Sequence, residues 1–274
     1  MRYVWIEGQV APETEARVSP FDHGLLTGDG VFETLRVYGG VPFAIRRHVD
    51  RLARSAAGLG LAIPDHGVLT EAMHAVIAAN ELVEARLRIT VTGGVAPLGS
   101  DRGVGPPTVI LAGAAMGVWA ETTPVVTVPW PRNQRGALAG LKTISYAENV
   151  VALAYARDRG AGEAIFGNLG GDLCEGTGTN VFVGRGGRLW TPPLSAGCLP
   201  GVTRDLLLGL VDVVEEDLPL GALARADEAF LTSSTREVQP IDSVDGQRLT
   251  SAPGPLTRAA AAAFHALVAR DLDP

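Results

Sequence analysis

Apolar and polar positions along the chain fall into regular pieces separated by turns. Tyr3-Val-Trp-Ile6 followed by Glu7-Gly-Gln9 reads as a strand and a turn. From Ile45 to Leu59 the apolar residues Val49, Leu52, Ala53, Ala56 and Leu59 recur at helical spacing, and a second helix is expected over Val68–Ala79. Leu87–Thr92 and Thr108–Ala112 are rich in Ile, Val and Thr and read as strands. The first third is therefore expected to be an α+β unit with a mostly antiparallel sheet. The stretch Ala112–Thr123 is small, polar and irregular. It marks the expected boundary between a small N-terminal domain (1–115), a linker (116–122) and a larger domain (123–274).

In the larger domain a short strand is expected at Val125–Val128 and a helix over Tyr146–Arg157. Ala164–Phe166 and Val181–Val183 read as strands joined by a Gly-rich turn. Pro200-Gly-Val-Thr203 opens a helix expected over Gly201–Val214. Ala229–Leu231 is a strand that feeds Thr232-Ser-Ser-Thr235, and the Ala-rich segment Pro255–Arg270 is a helix. The second domain is thus read as α/β and the whole as a two-domain α+β protein.

Composition narrows the functional classes. The chain has 274 residues, 46% of them hydrophobic and 19% charged, enough for a sizeable core. A net charge of −7 gives no basis for binding nucleic acid or an anionic membrane surface, and no apolar run reaches membrane-spanning length. Met1 to Val10 carry no signal-peptide h-region. Cys174 and Cys198 make neither a disulfide framework nor a CxxC metal site. They read as two buried thiols in a cytoplasmic protein, with no metal centre expected.

The basic residues change the picture more. There are 22 arginines and a single lysine, Lys142. Surface charge survives exchange of lysine for arginine, but covalent amine chemistry does not, because a guanidinium stays protonated and cannot condense with an aldehyde. Lys142 is therefore a candidate nucleophilic amine; the alternative is a surface lysine retained by chance. It lies between Leu138-Ala-Gly-Leu141 and Thr143-Ile-Ser-Tyr146, at an expected strand end before a helix. Further candidates are Glu175 just before a strand, Val202 and Thr203 at a helix start, Ser233 to Thr235 after a strand, and Arg51 on the first amphipathic helix. Each has an ordinary reading as well: a turn carboxylate, a helix cap, a turn, a solvated helix face.

Their order is what carries a resemblance. Ser19-Pro-Phe-Asp-His-Gly24, Gly28-Asp-Gly-Val-Phe-Glu-Thr34, Arg47-His-Val-Asp-Arg-Leu52, Leu141-Lys-Thr143, Glu175-Gly-Thr-Gly-Thr-Asn-Val-Phe182, Leu199-Pro-Gly-Val-Thr-Arg204 and Thr232-Ser-Ser-Thr-Arg-Glu-Val238 follow one another along most of the chain. In this order they resemble the fold-type-IV pyridoxal-phosphate enzymes: branched-chain and D-amino-acid aminotransferases, (R)-amine transaminases and 4-amino-4-deoxychorismate lyases. The resemblance implies pyridoxal 5′-phosphate as cofactor, Lys142 as the Schiff-base lysine and proton shuttle, and Glu175 as the partner of the pyridine nitrogen. It implies phosphate contacts from Arg51, Val202, Thr203 and Ser234. It places Arg135 near the cofactor, Tyr146 near its O3′, although the branched-chain pattern has its tyrosine one residue later, and Phe32 as a wall of the substrate pocket, in which Arg88 and Thr235 are also expected.

The family pattern has an arginine where this chain has Gly93, so Arg88 or Arg102 is weighed as the replacement carboxylate clamp. The implied activity is amino transfer between a D-amino acid or (R)-amine and a 2-keto acid, in a homodimer. The alternatives are the lyase reaction, giving 4-aminobenzoate and pyruvate, and a non-catalytic cofactor-binding protein.

Overall fold

The computed structural model describes residues 1–274. The chain divides into two compact units: Met1–Gly117 with Leu141–Tyr146 and Asp271–Pro274, and Val118–Gly140 with Ala147–Arg270. The contiguous division expected from the sequence departs from this at two places. Leu141–Tyr146 and the last four residues pack with the N-terminal unit. The reason in each case is long-range backbone pairing, which local composition does not reveal. Phe32 N–H donates to the Lys142 carbonyl at 3.0 Å and Ile144 N–H to the Gly30 carbonyl at 2.9 Å, while Ala44 N–H donates to the Leu272 carbonyl at 2.7 Å.

The first unit contains β1 (Tyr3–Ile6), β2 (Gln9–Pro12), α1 (His23–Thr27), β3 (Gly30–Tyr38), β4 (Val41–Pro42), α2 (Ile45–Leu59), α3 (His66–Ala79), β5 (Ala85–Thr92) and β6 (Val109–Ala115). Its six strands form an antiparallel sheet in the order β2-β1-β6-β5-β3-β4. Alternate residues of β3 and β5, such as Val31, Leu35, Leu87 and Ile89, enter a core shared with Val49, Leu52 and Ala56 of α2 and Leu69 and Met73 of α3. The helical spacing read between Ile45 and Leu59 thus matches α2 residue for residue, and α3 begins two residues earlier than expected.

One polar group interrupts this core. Glu33, fully buried on the helix-facing side of β3, accepts from Arg51 Nε and Nη2 at 2.7 Å each and from His48 Nδ1 at 2.7 Å. Burial, the largest single influence, would raise the Glu33 carboxyl, but Arg51 and His48 together, through charge and hydrogen bonds, outweigh it and hold the group well below the usual carboxylate range. Burial pushes His48 down, opposed by the Glu33 carboxylate that its Nδ1 meets at 2.7 Å. This group ties α2 to β3.

The second unit contains β7 (Thr123–Thr127), α4 (Ala147–Arg157), β8 (Glu163–Gly167), β9 (Leu173–Gly176), β10 (Asn180–Arg185), β11 (Arg188–Thr191), α5 (Val202–Leu208), β12 (Val214–Glu215), β13 (Glu228–Ser233), β14 (Glu237–Val244), β15 (Gln247–Arg248) and α6 (Pro255–Arg270). Its sheet runs β12-β11-β10-β13-β14-β7-β8-β9, with β15 beside β14. The pairs β11/β12, β14/β7 and β7/β8 are parallel and the rest antiparallel, so the sheet is mixed. Together the units form the two-domain α+β architecture.

Two expectations fail here. The Gly-rich turn after β8 contains a strand, β9, fixed by pairing with β8 rather than by its own composition. The helix expected to reach Val214 stops at Leu208 with Gly209 as its C-cap, and the chain turns into β12 to pair with β11. Cys174 and Cys198 are buried free thiols; burial pushes Cys198 up to about 12, so it stays protonated. No helix is long and apolar enough to cross a membrane.

The core of the first unit can be tested by substitution. Leu35 is fully buried, so Leu35→Ala should lower the unfolding free energy in a denaturant titration by about 3 kcal/mol through transfer and cavity terms. Glu33→Gln removes the charge that balances Arg51 and should cost about 3 kcal/mol at neutral pH. Because the Glu33 pKa is depressed on folding, its stabilisation is present above the ordinary carboxylate pKa and is lost as pH falls below it. The gap between wild type and Glu33→Gln should therefore narrow progressively in acid.

Candidate active site

In the first unit the candidate residues gather on Phe32. β3 and β5 pair so that Thr90 faces Phe32 and Arg88 faces Thr34, which puts Phe32, Arg88 and Thr90 on the sheet face opposite the helices. The Arg88 guanidinium lies 3.8 Å from the Phe32 ring centroid and Lys142 Nζ lies 4.3 Å from it. Tyr146 packs edge-on against the same ring at 5.1 Å. One aromatic side chain therefore holds two cations and an aromatic wall in one place.

The Lys142 backbone is held on both sides, by Phe32 N–H to its carbonyl and by its own N–H to Ser55 Oγ at 3.1 Å. Arg51 sits one helical turn before Ser55 on α2, its guanidinium oriented by Glu33.

The two arginines weighed as a carboxylate clamp differ. Arg88 Nε donates to Thr90 Oγ1 at 3.1 Å, and its outer N–H groups suit a carboxylate. Arg102 is committed elsewhere: it pairs with both oxygens of Asp29 and donates to the Leu59 carbonyl. Nor is there room for a side chain at Gly93, since a Cβ there would collide with Asp29 Oδ2.

In the second unit Glu175 stands on β9 opposite Phe166 of β8. Its Oε2 accepts from Leu199 N–H at 2.8 Å, and its Oε1 lies 3.2 Å from Arg132 Nε. Arg132 is itself stacked over the Phe166 ring at 4.0 Å and paired with Glu148. The Glu175 carboxylate is thus compensated while keeping capacity to accept a further hydrogen bond.

Asn180 donates to the Leu199 carbonyl at 2.9 Å and fixes the segment that leads into α5, where Val202 and Thr203 occupy the buried first turn. Ser234 and Thr235 form the turn between β13 and β14. Just before them, Thr232 pairs in register with Asn180 and has a buried hydroxyl without a partner. Arg135 is exposed; its backbone N–H is held by Asn133, and its side chain makes no hydrogen bond or ion pair with the other candidates of this unit.

Sequence reasoning did not find Glu33, His48 or Ser55, which orient Arg51 and Lys142, nor Arg132, which balances Glu175. Glu33 and His48 lay inside motifs already singled out. Arg132 and Ser55 carried no local signal.

The donor set fits pyridoxal phosphate. The first unit offers the chain's one primary side-chain amine against an aromatic wall. The second offers a compensated carboxylate, suited to a protonated ring nitrogen, and hydroxyls including the orphaned one of Thr232, suited to a phosphate.

Comparison with known proteins agrees. The family model described as amino-transferase class IV matches residues 30–244. A putative branched-chain-amino-acid aminotransferase of Methanocaldococcus jannaschii is 36% identical over 258 residues, covering 89% of this chain and 88% of that protein. The D-alanine aminotransferase of Bacillus licheniformis is 32% identical, with 93% of each covered. The solved branched-chain amino acid aminotransferase of a T.th. strain, with pyridoxamine 5′-phosphate, superimposes with a TM-score of 0.91 at 26% identity, covering 98% of this chain and 95% of that one. This chain belongs to the class IV aminotransferases, enzymes that work with pyridoxal phosphate.

Proposed function

We propose that this aminotransferase moves an amino group between a D-amino acid or (R)-amine and a 2-keto acid, with Lys142 carrying the cofactor and moving the proton. The observation that carries the reading is the placement of Lys142 Nζ and the Arg88 guanidinium on the one Phe32 ring, in a chain with no other lysine.

Pyridoxal phosphate supplies an aldehyde that condenses with amines and a ring that takes up the electrons left when a proton departs from carbon. The protein's part is to bind, orient and move that proton. The Lys142 amine is the base that removes the α-proton and the acid that returns it. Glu175, held by Leu199 N–H and Arg132, keeps a proton on the pyridine nitrogen. Arg51, Val202, Thr203 and Ser234 bind the phosphate, Tyr146 stands by the O3′, and Arg135 lines the approach to the cofactor. Phe32 and Thr235 wall the substrate pocket, and Arg88 receives the substrate carboxylate. A homodimer is part of the same reading and is checked by light scattering.

Donor choice follows from the clamp. With Gly93 unable to carry a side chain and Arg102 committed to Asp29, Arg88 is the carboxylate contact, and an amine without a carboxylate needs no partner there. A second reading, an L-branched-chain amino acid as donor, draws on the 36% identity to the Methanocaldococcus jannaschii relative.

The deciding measurement is the visible spectrum of the purified protein, before and after adding D-alanine, an (R)-amine or L-valine without keto acid. Loss of the lysine-bound band with D-alanine or the (R)-amine supports the first reading; loss with L-valine alone supports the second. A band that ignores all three, together with release of pyruvate from 4-amino-4-deoxychorismate, overturns both in favour of the lyase. Lys142→Arg should remove the band and lower turnover by more than about 10²-fold. Arg88→Ala should raise KM for carboxylate-bearing donors about tenfold or more and leave KM for a plain (R)-amine unchanged.

A further inference from the structure

Asp29 lies in the chain between two residues that bind the segment just after Lys142. Its neighbours Gly28 and Gly30 hold the Lys142 stretch: the Gly30 carbonyl accepts from Ile144 N–H at 2.9 Å, and the Gly28 carbonyl from Ser145 Oγ at 3.0 Å. On the other flank the stretch rests on α2. Lys142 N–H donates to Ser55 Oγ, and Leu141 packs onto Gly58 so closely that a Cβ there would lie 2.6 Å from Leu141 Cδ1. The position of Lys142 is thus set by the spacing between the start of β3 and the end of α2.

Beyond the Glu33–Arg51 group, which ties the middle of α2 to β3, Arg102 ties the start of β3 to the end of α2. Its Nε donates to Asp29 Oδ2 at 2.8 Å and its Nη2 pairs with Asp29 Oδ1, while its Nη1 donates to the carbonyl of Leu59, the last residue of α2, at 2.6 Å. A forked guanidinium can span a carboxylate and a carbonyl together, which a single ammonium cannot. His23 completes the cluster. Its Nδ1 lies 2.9 Å from Asp29 Oδ2 and its Nε2 lies 2.9 Å from the Gly99 carbonyl. Both partners only accept, so both ring nitrogens carry protons and the ring is cationic. The hydrogen bonds to Asp29 and then to Gly99 keep that charge to a higher pH than an ordinary imidazole. The neighbouring Asp22 carboxylate takes no part, being used by Gly24 N–H and the hydroxyls of Thr92 and Thr108.

We infer that Arg102 and Asp29, steadied by His23, are positioning residues for Lys142, cross-tying the two elements between which its backbone is held. The inference rests on Lys142 being the cofactor-bearing amine. Loosening the tie lets α2 and β3 move apart at the point where Lys142 is anchored. The cost falls on proton transfer rather than on substrate affinity.

The test uses the cofactor-loaded variants Arg102→Gln, Arg102→Lys and Asp29→Asn, with Lys142→Arg in parallel. In Arg102→Gln and Asp29→Asn, kcat should fall about tenfold with KM changed less than about twofold, and the midpoint pH of the lysine-bound visible band should move. Arg102→Lys should recover part of both losses, since it restores one of the two contacts. Wild-type kcat and an unmoved midpoint in folded Arg102→Gln and Asp29→Asn would overturn the inference. Should Arg102→Gln fail to fold, Asp29→Asn, nearly the same shape as wild type, decides by the same two readouts. Persistence of the visible band in Lys142→Arg would overturn the underlying assignment of Lys142. Its loss there, alongside wild-type values in the Arg102 and Asp29 variants, would overturn this inference alone.

Discussion

Two backbone hydrogen bonds, Phe32 N–H to the Lys142 carbonyl and Ile144 N–H to the Gly30 carbonyl, recruit a short extended segment to the start of β3. They take Leu141–Tyr146 into the N-terminal unit although the chain on either side belongs to the other. That pairing decides which residues can surround the amine. Phe32 on the open face of the sheet meets Nζ, Arg88 comes up from β5, and Tyr146 closes one side. Glu33, one residue along, points the opposite way into the helix layer and orients Arg51. The two-residue period of one strand therefore serves both the Phe32 face that meets Lys142 and Arg88 and the buried carboxylate that orients Arg51.

Charge in each unit is compensated within the protein. Arg51 is matched by Glu33, and Glu175 by Arg132 and a backbone N–H. A buried pair of this kind adds little net stability, but losing one member leaves an uncompensated charge. What the protein gains is orientation: a guanidinium and a carboxylate each held in place by their partners, as the proposed roles at a phosphate and a ring nitrogen require.

How far the sequence shows this depends on the range of the interaction concerned. α2 and α6 match their expected bounds because helical periodicity is local. β9 and the Lys142 stretch were read as a turn and as a strand end of the second domain, because their partners lie far away in the chain. The same distinction runs through the site. Lys142 stands out by being the sole lysine, and Glu175, Arg51 and Thr203 by motif order. Arg132, Ser55 and Glu33 act through contacts that only folding creates. Arg102 was weighed as a substrate clamp, and its engagement with Asp29 and the end of α2 became visible only in three dimensions.

The central claim is that the Lys142 amine, set against Phe32, carries the cofactor. Its most direct test is to reduce the purified, cofactor-loaded protein with borohydride, digest it, and locate the cofactor mass by peptide mass spectrometry. The account predicts one phosphopyridoxyl group per chain, on the peptide containing Lys142. Cofactor that leaves the reduced protein on denaturation, or a label on the N-terminal amine instead, would contradict it.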